Sequence, residues 1–155
     1  MYTSQGDAVK EWLEGYRREE SELADLIDRV RELRSGAEGV RAQELSFMPK
    51  AHNGADLLTE YVIRLEMLEG NLEKRMRAHE RDRAALVDLV NKIRRTEERN
   101  VIKCRYLYGM EWGEIRPKIY SREKGYLKNQ DTYERRMFRA HNRAIEWMGR
   151  FWDIK

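Results

Sequence analysis

Apolar residues recur at alternating three- and four-residue steps early in the chain, at Val9, Trp12, Tyr16, Leu23, Leu26, Val30, Leu33, Ala37 and Val40. This spacing puts them on one stripe of an α-helix, the a and d seam of a coiled coil, with Lys, Arg, Glu and Asp on the other faces. Glu19 interrupts the seam once, at a d-type place. A stripe this narrow cannot close a globular core, so it predicts a helix packed on another helix, in this chain or in a second copy. Residues 1–6 read as a short flexible lead and Asp7 as the N-cap. The seam fades through SGAEGVRAQELSFMPKAHNGAD, where Gly36 and Gly39 weaken a helix, Pro49 cannot continue one and Asn53-Gly54 signals a turn. A connector is expected over residues 41–54.

Asp56 is then the expected cap of a second long helix, with its seam at Leu58, Tyr61, Leu65, Leu68, Leu72, Arg75, His79, Asp82, Leu86, Leu89 and Ile93. Helices of roughly 30 and 38 residues would extend about 45 and 57 Å. An antiparallel helical hairpin, or the arm of a dimer, is the economical architecture. Arg75, His79 and Asp82 place polar groups in this second seam. Either they form a buried network that fixes register, or the first helix has ended opposite them and they are solvated; the second reading is preferred.

After Ile93 the pattern shortens. Thr96 is the expected N-cap of a helix whose first turn carries Glu97 and Glu98, favourably placed against the helix dipole. Val101, Ile102, Tyr106 and Leu107 give it one apolar face, and Gly109 ends it. A second short helix starts in MEWGEI, where Pro117 predicts either a kink with the helix resuming through Lys118, Ile119 and Tyr120, or a later start. A third runs over 132–148, with Met137, Phe138, Ala144, Ile145 and Met148 facing inward. Helix, glycine turn, helix and then a basic helix is the layout of a helix-turn-helix. The expected fold is all-α, with a long coiled-coil-like hairpin over 1–93 and a helix-turn-helix module over 94–155.

Charge sharpens this division. The net charge is +3, but residues 1–93 hold 15 Lys and Arg against 19 Asp and Glu, while residues 94–155 hold 16 against 9. The second part is the candidate polyanion binder, because clustered cations release the counterions condensed on a phosphate backbone. Charged residues make up 38% of the chain, a solvated, helix-forming composition that leaves little for a large enzyme core.

Catalytic chemistry finds no support in the residues. There is no glycine-rich phosphate loop, no Ser or Cys nucleophile with a histidine at recognisable spacing, and no metal-ligand cluster. No cofactor and no metal are expected. The single cysteine, Cys104, excludes an intrachain disulfide framework and reads as a small core residue. His141 reads as a packed histidine. With neither a secretory signal nor an apolar run of about 20 residues, a cytoplasmic protein is expected.

The run EERNVIKCRYLYGMEWGEI resembles the start of sigma factor region 4, and the later run YERRMFRAHNRAIEWM resembles the recognition helix of the same domain. Two heptad-rich helices followed by this module are similar to the small sigma-region-4-like regulators of phages and prophages of Gram-positive bacteria. SREKGYLKNQ stands between the two runs as an insertion of about ten residues. The resemblance implies a transcription regulator that binds double-stranded DNA, with the long helices used to form a homodimer or to touch RNA polymerase. An adaptor that docks on RNA polymerase or a phage protein without reading DNA, and a small-terminase-like packaging component, are the alternatives.

A recognition helix enters the major groove with its first turns against the base edges, where Arg pairs with guanine N7 and O6. Thr132, Tyr133, Arg135, Arg136 and Arg139 fit that role by position, with Asn142 and Arg143 further along the outward face. Lys103, Arg105, Lys118, Arg122, Lys124 and Lys128 are the expected contacts to the DNA backbone, which set affinity without reading sequence.

Overall fold

The computed structural model describes residues 3–45 and 53–153, and the side chains of 3–39 and 57–153. Among them the protein is all-α. The elements are α1 (Ser4–Leu45), α2 (Asn53–Asn91), α3 (Thr96–Ile102) continuing as a π-helical turn (Lys103–Leu107), α4 (Trp112–Tyr120), a 3₁₀ turn (Tyr126–Lys128) and α5 (Gln130–Gly149). Of the connector expected over 41–54, residues 41–45 and 53–54 are helical, and the rest lies outside the described residues. Gly36 and Gly39 lie inside α1, and the long helices have 42 and 39 residues. Pro49 falls outside the described residues. Asp56 is not the cap of α2, which is already helical from Asn53.

The chain divides into two compact units, Met1–Arg18 with Arg81–Lys155, and Glu19–Glu80. The division expected after Ile93 is therefore not where the compact units separate. The start of α1 and the end of α2 belong with the C-terminal helices.

In the Glu19–Glu80 unit the two helix segments run antiparallel. Leu23, Leu26, Val30 and Ala37 are buried on α1, against half-buried Leu58, Tyr61, Leu65, Leu68 and Leu72 of the α2 seam. Arg34 pairs with Glu69, and the Tyr61 ring lies against Gly36. The polar positions in the two seams answer each other. Arg75 donates to both carboxylate oxygens of Glu19, at 2.8 and 2.7 Å, and to Glu22 at 2.7 Å. The first helix has thus not ended opposite Arg75, which corrects the preferred expectation. The Arg75 hydrogen bond, opposed by burial and aided by the positive charge of Arg75 and by His79, holds the Glu19 carboxyl below its usual range.

In the other unit α1 begins earlier than its composition suggests, because Thr3 caps it. The Thr3 hydroxyl accepts the Gly6 N–H at 3.1 Å, while Thr3 N–H and O–H donate to the two Glu146 oxygens at 2.8 and 3.1 Å. The expected lead over residues 1–6 and the Asp7 cap give way to this; Asp7 sits in the first turn of the helix. Gly6 is buried against α5, and a Cβ at Gly149 would come within 3.2 Å of the Gly6 nitrogen. A side chain at Gly149 would have to push that backbone away by a few tenths of an ångström.

One core cluster joins Val9, Leu13 and Tyr16 of α1 to Leu86, Leu89, Val90 and Ile93, and both groups to Ile102, Tyr106, Ala144, Ile145 and Met148. Trp152 covers its edge by meeting Trp12 edge-on at 5.4 Å. A second cluster, Val101, Cys104, Ile115, Tyr120, Tyr126, Met137 and Ala140, holds α3, α4 and α5 together. Phe138, expected to face inward, is 37% exposed and touches Trp112 edge-on. α5 thus has an apolar face buried along its length, and the opposite face is left to solvent.

Candidate functional site

The site is the outward face of α5 with the elements that fix it. Thr96 begins α3 without capping it, since the cap position is Arg95 and carries no side-chain cap hydrogen bond. In the turn that follows, the Tyr108 N–H reaches back five residues to the Lys103 carbonyl at 2.9 Å. This wide turn brings Cys104, Arg105 and Tyr106 into the interior in succession. A regular helix, turning about 100° per residue, does not bury three consecutive residues so readily on one face. Gly109, at φ +65°, then ends the segment in the left-handed region that glycine enters without a Cβ penalty.

α4 opens on a reciprocal capping box between Glu111 and Glu114, which satisfies backbone donors at its start. It begins at Trp112, later than Met110, as the second of the two expectations has it, and it also continues through Pro117, Lys118 and Ile119 to Tyr120. The Glu111 carboxylate also takes Arg17 and Arg105, and those hydrogen bonds hold it below the usual carboxylate range.

The inserted segment folds against the base of α5. Tyr126 is buried, Arg116 donates to its hydroxyl and to Gln130, both at 3.3 Å, and Tyr133 donates to the Lys124 carbonyl at 3.3 Å. Arg122, Lys124 and Lys128 are exposed on this segment.

Of the residues expected to read bases, Thr132, Arg135, Arg139, Asn142 and Arg143 are exposed on α5. Arg135 donates to the Asp131 carbonyl at 3.3 Å, and the Asn142 oxygen lies 3.5 Å from His141 Nδ1. Arg139 and Arg143 form no ion pair among the described residues. Two others are placed differently. Tyr133 is half-buried, packed on Tyr120 and Tyr126 with ring centroids 5.4 and 5.6 Å away, so it belongs to the core of the module. Arg136 is exposed but committed, donating to Glu97 through Nε at 2.9 Å and through the terminal nitrogen at 3.0 Å, with its guanidinium over the Tyr120 ring. Burial pushes the Glu97 carboxyl up, but the Arg136 and Tyr120 hydrogen bonds outweigh this and hold it below its ordinary value.

Arg105 is the clearest correction among the expected backbone contacts. It is buried, donates to Glu111 at 3.1 Å and to the Met110 carbonyl at 3.3 Å, and stacks over Trp112 at 4.5 Å. It braces the turn and does not face a ligand. Lys118 is exposed and lies over the Tyr108 ring at 5.5 Å, and Lys103 is half-buried near it. Burial raises the Cys104 thiol above its ordinary value, against the opposing Lys118 charge. No group of three His, Cys, Asp or Glu arranged to hold a metal occurs among the described residues, and no helix there is long and apolar enough to cross a membrane.

Comparisons with protein-family models, with curated proteins and with solved structures return no match. The chemistry must therefore be read from the site itself. That site is a cationic helix face, rigidly backed by the two core clusters. Sequence reasoning missed its far end, where Arg150, the C-cap of α5, extends the row of Arg135, Arg139 and Arg143. Arg150 stands seven residues, about two helical turns, past Arg143, which returns it to the same side.

Proposed function

We propose that this protein is a DNA-binding transcription regulator of phage or prophage type, reading duplex DNA with the first half of α5. One observation carries the reading: Thr132, Arg135 and Arg139 stand exposed on one face of a helix whose other face is locked into two core clusters. A rigid helix that offers exposed guanidiniums outside any ion pair among the described residues, each suited to bidentate bonding with guanine, meets the requirement for reading the major groove. Arg136 positions α5 against α3 through Glu97, and Tyr133 and Tyr126 pack the inserted segment under its first turn. The insertion thereby supplies support, and its Arg122, Lys124 and Lys128 are suited to phosphate contact.

Purified protein is expected to bind duplex DNA with a steep loss of affinity as salt rises, and Arg135→Ala with Arg139→Ala to erase preference among sequences. Binding isotherms on duplexes recovered from a randomised pool, over a series of salt concentrations, measure both. Absent or salt-insensitive binding by the wild-type chain sinks the reading and leaves a protein-docking role for the same face.

A further inference from the structure

A cleft of about 710 Å³ opens between the start of α3 and the second half of α5, lined by Arg95, Glu98, Arg143, Glu146, Trp147 and Arg150 among others. Its two carboxylates are already engaged. Glu146 accepts from Thr3, and Glu98 is buried with Arg95 at 3.7 Å. Arg143 and Arg150 form no ion pair among the described residues. Trp147 forms an aromatic support, its Nε1 donating to the Lys92 carbonyl at 2.9 Å. The guanidinium carbons of Arg94 and Arg150 lie 5.6 and 5.1 Å from the centre of its ring. Stacking of this kind holds a guanidinium in place while leaving its in-plane donors free for an anion.

Position on the helix selects the ligand. α5 has 20 residues, roughly 30 Å of helix at about 1.5 Å per residue, whereas the major groove is only about 12 Å wide. With the turns from Thr132 to Arg139 against base edges, Arg143 and Arg150 come roughly 20 and 30 Å beyond the helix start. They then lie where the helix leaves the groove and meets the sugar-phosphate strand. We infer that this cleft seats backbone phosphates of duplex DNA through Arg143 and Arg150, with Arg94 and Arg95 beside them. The inference rests on the DNA-binding reading above, and it moves Arg143 from reading bases to holding the strand.

The test uses the full-length chain and duplexes recovered from a randomised pool, with binding measured across salt for the wild type, Arg143→Gln/Arg150→Gln and Arg143→Lys/Arg150→Lys. Loss of two phosphate contacts should flatten the slope of log K against log salt by about 1.8, at about 0.9 per contact. The flattening should be equal on preferred and scrambled duplexes, so the ratio between them stays unchanged, and the lysine pair should restore the slope. Arg150→Gln alone, at an exposed position, should give half the change and checks the result independently of any effect on folding. An unchanged slope with the glutamine variants, while the wild type binds DNA, overturns this inference and leaves the DNA-binding reading standing. Loss of sequence preference in the glutamine pair overturns it as well, since the residues then read bases. No duplex binding by the wild type removes both readings together.

Discussion

His141 lies on the buried side of α5 with Nε2 2.8 Å from the Tyr106 hydroxyl and the Trp112 ring edge-on at 5.0 Å. Burial lowers its pKa from 6.5 to about 4; the Asn142 hydrogen bond opposes this, and the nearby charges of Lys10 and Arg105 add to the lowering to a lesser degree. The folded state therefore holds the ring neutral where the unfolded chain protonates it. Its contribution to stability is full above about pH 6.5 and is lost as pH falls toward about 4. Urea unfolding of the wild type is expected to weaken across that window. His141→Gln, which cannot titrate, should be less stable at pH 7 and show a flatter dependence between pH 6.5 and 5, above the range where the depressed carboxyls of Glu19, Glu97 and Glu111 begin to protonate. Equal slopes in the two proteins would refute this account. The buried state of His141 was legible from its neighbours in the sequence. Its partner Tyr106 was not, because 35 residues separate the two.

Among the elements, the polar seam positions of α1 and α2 carry the most information. Glu19 and Arg75 each break an apolar stripe, and the structure sets them face to face. The partly exposed pair adds little net stability, but removing one partner strands the other in a half-buried seam. Glu19→Leu alone should lower the urea midpoint more than Glu19→Leu with Arg75→Leu, and the double variant should equal or exceed the wild type. If the two changes simply add, the pair is not coupled. The expectation that Arg75 is solvated failed because each seam was read along one helix, whereas the residue that interrupts the first stripe, Glu19, lies opposite it from 56 residues away in the chain. Arg105 was misplaced for a different reason. Periodicity arguments assume 3.6 residues per turn, and the π-helical turn at Lys103–Leu107 changes the face on which each side chain emerges.

At the scale of the molecule, the C-terminal module does not close its own core. Ile102, Tyr106, Ala144, Ile145 and Met148 are buried against Val9, Leu13, Tyr16, Leu86, Leu89, Val90 and Ile93. Full burial of one large apolar side chain is worth about 1.5–3 kcal/mol, and a domain's whole stability is about 5–15 kcal/mol. Residues 94–155 produced alone should therefore lack a cooperative urea transition, whereas the full chain has one. A sharp transition in the fragment, with the midpoint of the full chain, would show that the helix-turn-helix needs no partner helices. The Thr3 contacts to Glu146 and the close passage of Gly6 by Gly149 tie the beginning of the chain to the end of α5.

Heptad spacing, the glycine turn at Gly109 and the basic stripe of α5 are written locally. Each is set by the faces of a single helix or by one residue's backbone freedom, so the sequence alone determined an all-α chain, its seam positions and the cationic helix near its end. Tertiary structure decided which of those cations are free. Arg136 is committed to Glu97, 39 residues away in the chain, and Arg75 to Glu19, 56 residues away, while Arg105 is drawn inward by a turn of unusual width. Those outcomes depend on which distant carboxylate or ring packing brings within hydrogen-bonding reach, and a pattern read along one helix contains no record of it.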